Sequence, residues 1–227
     1  YASRGLGDVY KRQTGDSTTC STCRSDFRES IRYLFQNASL LVVFLLAAIL
    51  NLALVGLTIG APVIVAKHLG MQSSFVGIIE VAMGLGGLVG SGLVGIWPHR
   101  FSFKGICRYV AMICFGVVPI IVTLLSGPDE LAFAALAAGS AWVMAWASIA
   151  SVEIVSFVQR SAPKELCGKV LALVYMMLSC ATPIGQLIYG LAYDRWTPAI
   201  VFAGMLAVLT LTTALFYRLK SRLWRLS

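Results

Sequence analysis

Two acidic side chains, Glu80 and Glu153, lie inside long apolar stretches of the sequence. A carboxylate in hydrocarbon is costly unless it is protonated, paired or in contact with water, so each acid is predicted to face protein or a wet cavity. Reversible proton binding is the chemistry that such a group supports. A structural hydrogen bond to a neighbouring helix is the alternative interpretation for Glu80.

Small residues surround Glu80 at helical spacing. Gly84, Gly87, Ser91 and Gly95 follow it on one stripe. Small side chains on one helix face allow close packing against another helix. We therefore expect this stripe to pack inside the protein, and Glu80 is the candidate for proton coupling.

Aromatic residues accompany the second acid. Glu153 shares a helical stripe with Gly139, Trp142, Trp146 and Ile149. An acid and aromatic faces together suit a cavity for amphipathic or cationic ligands, because the aromatic faces attract cations. The alternative interpretation is a pair of packing tryptophans and an acid that reaches the membrane surface, since Glu153 lies about two turns from its segment's end.

Amide side chains mark two further apolar segments, at Asn51 and Gln186. Neighbours of Gln186 at helical spacing are also polar, and Pro183 and Gly185 loosen that helix. Each polar group alone is explained by an interhelical hydrogen bond. Together they predict a water-facing surface, whose candidate cavity residues are Asn51, Trp142, Trp146, Glu153 and Gln186.

Catalytic and metal-binding patterns are missing from the sequence. The Gly-x-Ser-Gly motif of intramembrane serine proteases is broken around Ser91, and His68 and His99 fall in predicted loops. Cys20 and Cys23 form a CxxC without the second ligand pair of a tetrahedral metal site. The sequence therefore predicts no enzyme, no metal site and no cofactor.

Six apolar segments must position these polar groups. Each has about the 20 residues that cross a hydrocarbon core of roughly 30 Å as a helix. The composition, 58% hydrophobic and 12% charged, agrees with an all-α membrane protein of six transmembrane helices. The predicted segments are Ser39–Val65, Phe75–Trp97, Ile106–Leu125, Leu131–Phe157, Val170–Tyr193 and Pro198–Tyr217.

Lys and Arg lie mainly on alternate connections between the segments. The connections of the opposite set hold only Lys67 and Arg195. Basic residues concentrate in cytoplasmic loops, so both termini are predicted to be cytoplasmic. The formal charge of +8 then reflects topology and predicts no nucleic-acid partner. The rich set comprises Arg24, Arg28, Arg32, Arg100, Lys104, Arg108, Arg160, Lys164, Lys169, Arg218, Lys220, Arg222 and Arg225.

Four regions follow from these patterns. Residues 1–13 are interpreted as sequencing-adapter artefact, because Asp8–Gln13 spells a translated transposon end used in library preparation. Residues 14–37 are predicted to be a cytoplasmic linker with an amphipathic helix on the membrane surface. Residues 38–218 form the six-helix bundle, and residues 219–227 form a basic cytoplasmic tail.

The two halves of the bundle resemble each other in polarity. The first, second, fourth and fifth segments carry the polar groups, whereas the third and sixth are almost entirely apolar. A glycine-rich middle segment, residues 77–95, corresponds to a proline- and glycine-bearing one, residues 183–190. Triplets of helices in opposite orientation are typical of transporters. A 3+3 inverted repeat is therefore expected.

Several stretches give the chain a specific family resemblance. The chain resembles the C-terminal half of a major facilitator superfamily (MFS) transporter, in the macrolide and siderophore efflux branch. The resemblance covers residues 24–220. The matching stretches are Phe27–Leu34, Gly77–Glu80, Gly84–Gly87, Gln159–Val170, Thr182–Gly185 and Gly190–Arg195.

Loop motifs contribute to this resemblance and also depart from it. Pro163, Glu165 and Gly168 form a Pro-x-Glu-x-x-Gly segment, and the resemblance implies a gating role for it and for Asp194 and Arg195. Two departures concern the same machinery. Cys167 stands where family members usually have Arg. The link Gly95–Arg100 lacks the acidic residue of the usual cytoplasmic latch.

The resemblance implies a function. A bacterial inner-membrane antiporter would exchange protons for a drug-like or amphipathic small molecule by alternating access, with a role in multidrug or macrolide resistance. Its partners would be the lipid bilayer, protons, the substrate, and an N-terminal six-helix half or a second copy. The alternative is a stand-alone six-helix membrane protein that acts as a homodimer or as a non-transporting partner subunit.

Overall fold

The computed structural model describes residues 31–32, 34–163 and 166–223, with side chains described as far as residue 218. All long elements in this part of the chain are α-helices, and no strand occurs in it. Short 3₁₀ turns, Pro98–Arg100 and Phe103–Gly105, join the second helix to the third. The long helices are α1 (Ala38–Val63), α2 (Ser73–Ile96), α3 (Ile106–Ser126), α4 (Asp129–Ser161), α5 (Cys167–Arg195) and α6 (Pro198–Leu223).

Each predicted segment corresponds to one of these helices. In the described residues, six helices are long and apolar enough to cross a membrane. The predicted all-α, six-span fold is therefore confirmed. The largest difference in length concerns α4, predicted as Leu131–Phe157 and observed as Asp129–Ser161. Asp129 and Glu130 extend its first turn, where negative side chains interact favourably with the helix dipole.

A proline reshapes the end of α1. Pro62 lies in its last turn and has no backbone N–H to donate. The chain continues as a wider π-helical turn, Ile64–His68, in which the Leu69 amide donates to the Ile64 carbonyl at 2.8 Å. Gly70 then ends the turn at φ +60°, in the left-handed region that favours glycine. This turn carries Lys67 beyond the end of α1.

The helices pack in a pattern with approximate twofold symmetry. Helices α2 and α3 both pack on α4. In the same way, α5 and α6 both pack on α1. α1 also contacts α4, and α3 contacts α6. Exchange of the first three helices with the last three maps these contacts onto one another. This is the packing expected from a 3+3 repeat of an MFS-type bundle.

The main core lies where α3, α4 and α6 meet α1. Tyr109, Phe202, Ile120 and Leu136 are fully buried there. The Tyr109 hydroxyl also accepts from the Ser102 amide at 2.9 Å and donates to the Ser102 carbonyl at 3.1 Å. These bonds satisfy the buried phenol and tie the loop before α3 to the bundle. The α3–α6 side of the protein is therefore solidly packed.

A second, smaller group of buried side chains lies where α1 and α5 begin and α4 ends. We name it the end cluster; it comprises Leu34, Leu40, Val158, Val170 and Leu173. Leu34 belongs to the predicted amphipathic helix, most of which falls outside the described residues. The predicted artefact, residues 1–13, also falls outside them.

Candidate functional site

A pocket of about 310 Å³ opens between α1, α4 and α5, and Ile113 of α3 also lines it. Each of the three helices contributes four side chains spaced i, i+3, i+4 and i+7, which is one helix face. In each stripe the i+4 position is polar, as Asn51, Ser151 and Ser179. The stripes are Ala47, Leu50, Asn51 and Leu54; Ala147, Ala150, Ser151 and Ile154; and Tyr175, Leu178, Ser179 and Thr182.

The three i+4 residues lie at a similar depth. Because consecutive spans alternate in direction, α1 and α5 begin on the side where α4 ends. At ~1.5 Å per residue, Asn51 and Ser179 lie about 18–20 Å from the first residues of their helices, and Ser151 about 15 Å from the last residue of α4. A hydrocarbon core is roughly 30 Å thick, so the polar groups of the pocket lie near mid-membrane.

Contacts between α5 and α1 close the pocket toward the end of α1. The Tyr193 hydroxyl donates to the Gly56 carbonyl at 3.0 Å. The ring of Tyr189 fills the space in which a Gly56 side chain would stand, and Tyr193 does the same at Gly60. The end cluster lies at the other end of the same helices. The pocket is thus flanked along the bundle by two packed regions.

Of the five predicted cavity residues, Asn51 lines this pocket. The three candidates in α4 do not line it: Trp142, Trp146 and Glu153. At about 100° per residue, their stripe on α4 is rotated about a third of a turn from the α4 stripe that faces the pocket. Gln186 is exposed on α5, one turn beyond Thr182 and on the same face. The structure therefore does not bring these candidates into one site, and their roles in a substrate cavity stay predictions.

The two tryptophans face α3. The Trp142 indole N–H donates to the Met112 carbonyl at 2.9 Å, and its ring occupies the space beside Gly116. Trp146 stacks on Tyr109 with a centroid distance of 6.0 Å. These contacts are those of packing aromatic residues.

Glu153 is buried to an unexpected degree. Only 6% of its surface is exposed, although the sequence suggested an acid that reaches the membrane surface. Among the residues that the structure describes, no hydrogen bond or ion pair reaches its carboxyl group. Most of the Glu153 side chain is therefore enclosed by the bundle, and the snorkelling interpretation stays a prediction. An acid with so little of its surface exposed is rare inside a membrane helix, which marks Glu153 as a candidate functional group.

Glu80 lies differently from the expectation. It is exposed, and a side chain added at Gly84 or Gly95 would meet nothing. The stripe that packs on α4 is instead Ile79, Met83, Gly86, Gly90 and Val94. Within the described bundle, the face of α2 that packs most closely on α4 is thus about 100°, one residue of a helix, from the predicted stripe, of which Gly87 lies near Ser148 of α4.

The reason for this difference is the distribution of glycine around α2. Glycines occur on several faces of the helix, so close approach was possible on more than one of them. The stripe that includes Ile79 and Val94 buries more apolar surface than the one headed by Glu80. Proton coupling by Glu80 stays a prediction.

The predicted gating residues are distributed over both ends of the bundle. Pro163 and Gly168 are exposed around the α4–α5 connection, and Glu165 falls outside the described residues. At the opposite end Asp194 pairs with Lys67, with Nζ and Oδ1 3.0 Å apart. Arg195 beside it is exposed. The gating roles implied by the resemblance stay predictions.

Ser151 is the pocket residue that sequence reasoning missed. A single serine in a long apolar helix carries no distinctive signal. The repeated spacing would have identified it. Ser151 lies four residues after Ala147 and directly after Ala150, as Asn51 in α1 lies four residues after Ala47 and directly after Leu50. Within the described part of the chain, no group of His, Cys, Asp and Glu could hold a metal ion.

Six membrane-length helices packed with approximate twofold symmetry, with a pocket near mid-membrane depth on one side, have the architecture of a helical membrane transporter. The model of the transmembrane secretion effector family, an MFS group, matches residues 10–226. The chain belongs to this family, which is a transport family and not a catalytic one. No curated protein matches the chain.

Proposed function

We propose that the chain forms part of a secondary active transporter that exports amphipathic small molecules by alternating access. The observation that carries this proposal is the mid-membrane pocket, into which α1, α4 and α5 each bring one polar side chain at the same place in a stripe. Transporters of this architecture bind their substrates near the midplane. When two bundles rock against each other, such a pocket is exposed first to one side of the membrane and then to the other.

A second six-helix bundle is part of the proposal. α2 and α5 are the least buried spans, with 22% and 17% of their most apolar windows buried, against 50% for α1. Both present polar side chains on their free surfaces, Glu80 on α2 and Gln186 on α5. Contact with hydrocarbon would be costly for both groups. An N-terminal half or a second copy would cover them.

We further propose a bacterial inner-membrane location, with the basic connections and both termini in the cytoplasm, and membership of the macrolide and siderophore efflux branch. The alternation of basic residues supports the orientation. The loop motif around Pro163 and Gly168 supports the branch.

Proton antiport would supply the driving force, and Glu80 and Glu153 are the candidate acids, because they lie away from the first and last turns of the described spans. Proteoliposomes with an imposed pH gradient test this role through export of a fluorescent amphipathic dye. We expect Glu80→Gln to abolish gradient-driven export, because an amide cannot carry a proton. Glu130→Gln is the matched control, since it makes the same change at the exposed start of α4.

The same assay on Glu153→Gln decides between the two acids. Undiminished gradient-driven export by Glu80→Gln would remove Glu80 from the mechanism. Loss of export in Glu153→Gln alone would transfer the proposed role to the buried acid. Export that ignores the gradient in the unmodified protein would contradict proton coupling.

A further inference from the structure

We propose that the pocket between α1, α4 and α5 selects uncharged, largely apolar molecules that carry hydrogen-bonding oxygen or nitrogen atoms, and that it rejects ions. The inference rests on the proposed transport function and narrows its substrate class. The proposed transport function is compatible with amphipathic cations and with neutral molecules. The residues that line the pocket favour the neutral molecules.

The first argument is the absence of countercharge. Of the described residues that line the pocket, none is Asp, Glu, Lys, Arg or His. An ion at this depth in the membrane requires an opposite charge or water. Glu153 is in the same helix, but it points about a third of a turn away from the pocket stripe. A bound ion would therefore lack a compensating partner in the pocket wall.

The second argument is the supply of free hydrogen-bonding groups. The side chains of Asn51, Ser151, Tyr175 and Ser179 form no hydrogen bond with any residue that the structure describes. Their amide and hydroxyl groups can both donate and accept. The Thr182 hydroxyl donates to the Leu178 carbonyl of its own helix at 3.1 Å, which leaves its oxygen as an acceptor. Neutral polar atoms on a ligand match this set.

The third argument concerns the aromatic residues that would bind a cation. Aromatic faces attract cations only where the ring face is accessible to the ligand. The ring of Trp146 stacks on Tyr109, and Trp142 packs beside Gly116 of α3. Neither lines the pocket. Among the described lining residues, Tyr175 is the one aromatic residue.

Pocket size completes the description. A volume of about 310 Å³ lies at the small end of the range for small-molecule sites. Apolar side chains form most of the remaining wall, including Leu50, Leu54 and Ile154. The expected ligand is a compact, largely apolar molecule with a few neutral polar atoms.

A matched pair of dyes tests the charge preference. The neutral probe is 4-[4-(methylamino)styryl]pyridine at pH 8, whose amine N–H can donate a hydrogen bond, and the cationic probe is its N-methylpyridinium derivative, which adds one methyl group and a permanent charge. Binding is measured by fluorescence on the full chain in lipid nanodiscs, with empty nanodiscs as the partition control. We expect saturable binding of the neutral dye at least about tenfold tighter than that of the cation.

Two threonines provide a matched control for location. Thr182 lines the pocket and donates to the carbonyl four residues earlier, and Thr212 of α6 makes the same kind of bond to Val208 on an exposed surface. Thr182→Val should weaken binding of the neutral dye about three- to tenfold, because the pocket loses an acceptor for the amine N–H of the dye. Thr212→Val should leave it unchanged. Both substitutions preserve side-chain volume.

Asn51→Asp tests the missing countercharge directly. The substitution keeps the shape of the side chain and introduces a carboxylate into the pocket. We expect it to strengthen binding of the cationic dye and to reverse the preference. Equal binding of the two dyes, tighter binding of the cation, or no saturable binding of the neutral dye by the unmodified protein would overturn the proposal.

Export of the same dyes separates this inference from the transport proposal. Selective binding of the neutral dye without export would leave the pocket preference intact and contradict transport. Equal export of both dyes would support transport and contradict the preference. Preferential export of the neutral dye, lost in Thr182→Val and kept in Thr212→Val, is the result that both proposals expect.

Discussion

Two symmetry-related interfaces of this bundle, α2 with α4 and α5 with α1, are built from different kinds of contact. Between α2 and α4 the backbones themselves touch. A side chain on Gly86 would overlap the carbonyl oxygen of Ala141, and one on Gly90 would overlap that of Ala145. No side chain stands between the helices at these points, and the two spans share the most extensive interface in the described bundle.

Between α5 and α1, aromatic side chains lie between the backbones. The ring of Tyr189 covers Gly56, and Tyr193 covers Gly60 and donates to the Gly56 carbonyl. Beyond these rings the two helices separate, and the space between them becomes part of the pocket. At Gly185, by contrast, α5 approaches α1 without an intervening ring and meets Leu52 and Val55.

This difference shows how one repeated fold yields a sealed side and an open side. Direct backbone contact leaves no room for a ligand and no side chain that can rotate away. Where an aromatic ring packs on a glycine, the ring connects the two helices at that height along the bundle. At other heights the helices can stand apart. The α1–α5 side can therefore contain a pocket, whereas the α2–α4 side forms a rigid wall.

The largest expected effect tests the backbone contact. Gly90→Ala places a methyl group against the Ala145 carbonyl, so the helices must move apart, and we expect a loss of about 1–3 kcal/mol in the free energy of unfolding. Unfolding in SDS mixed micelles, followed by far-UV circular dichroism, measures it.

The matched control for this substitution is Gly84→Ala. Gly84 is on the same helix, where the added methyl group meets nothing. Alanine is the better helix former, so this variant should be neutral or more stable by up to about 1 kcal/mol. Equal losses in the two variants would show that α2 does not approach α4 through Gly90.

An intermediate effect tests the aromatic contact. Tyr193→Phe keeps the ring but removes the hydroxyl that donates to Gly56, so we expect a loss of about 1 kcal/mol. Tyr217→Phe, at an exposed position of α6, is the control and should change nothing. A loss as large as that of Gly90→Ala would contradict the contrast between the two interfaces.

The smallest effect concerns the ion pair that ends the α1–α5 interface. Lys67 and Asp194 are largely exposed, with 69% and 64% of their side chains accessible. Lys67→Met should therefore change stability by less than about 1 kcal/mol, and added salt should remove the difference. Lys67→Arg retains the charge and should behave like the unmodified protein. A salt-independent loss in Lys67→Met would indicate a contribution other than screened charge attraction.

Helix number and approximate helix bounds followed from the sequence. An apolar run of about 20 residues in a bilayer has one solution that satisfies every backbone hydrogen bond, which is a helix. The ends were less certain because polar first and last turns, such as Asp129 and Ser161 of α4, extend helices beyond their apolar windows. Asn51, Ser179 and Thr182 were also recognisable as polar exceptions in apolar helices.

The direction in which each helix faces could not be read reliably from the sequence. Glu80 and its glycines suggested one face of α2, and the structure packs the neighbouring face. Trp142 and Trp146 suggested a ligand cavity, and they pack on α3. In a glycine-rich helix several faces permit close approach, so the alanines of the partner helix decide which one is used.

The sequence by itself determined the class of fold, because a bilayer imposes its length and polarity on every span. It also specified the residue spacing within the three stripes of Ala, Leu, Ile, Ser, Thr, Asn and Tyr that line the pocket, since that spacing is a property of each helix alone. Only the tertiary structure decided that these stripes meet at one depth, and that Glu153 lies buried beside them. Those outcomes depend on how pairs of helices approach each other, which is set by packing between residues far apart in the chain.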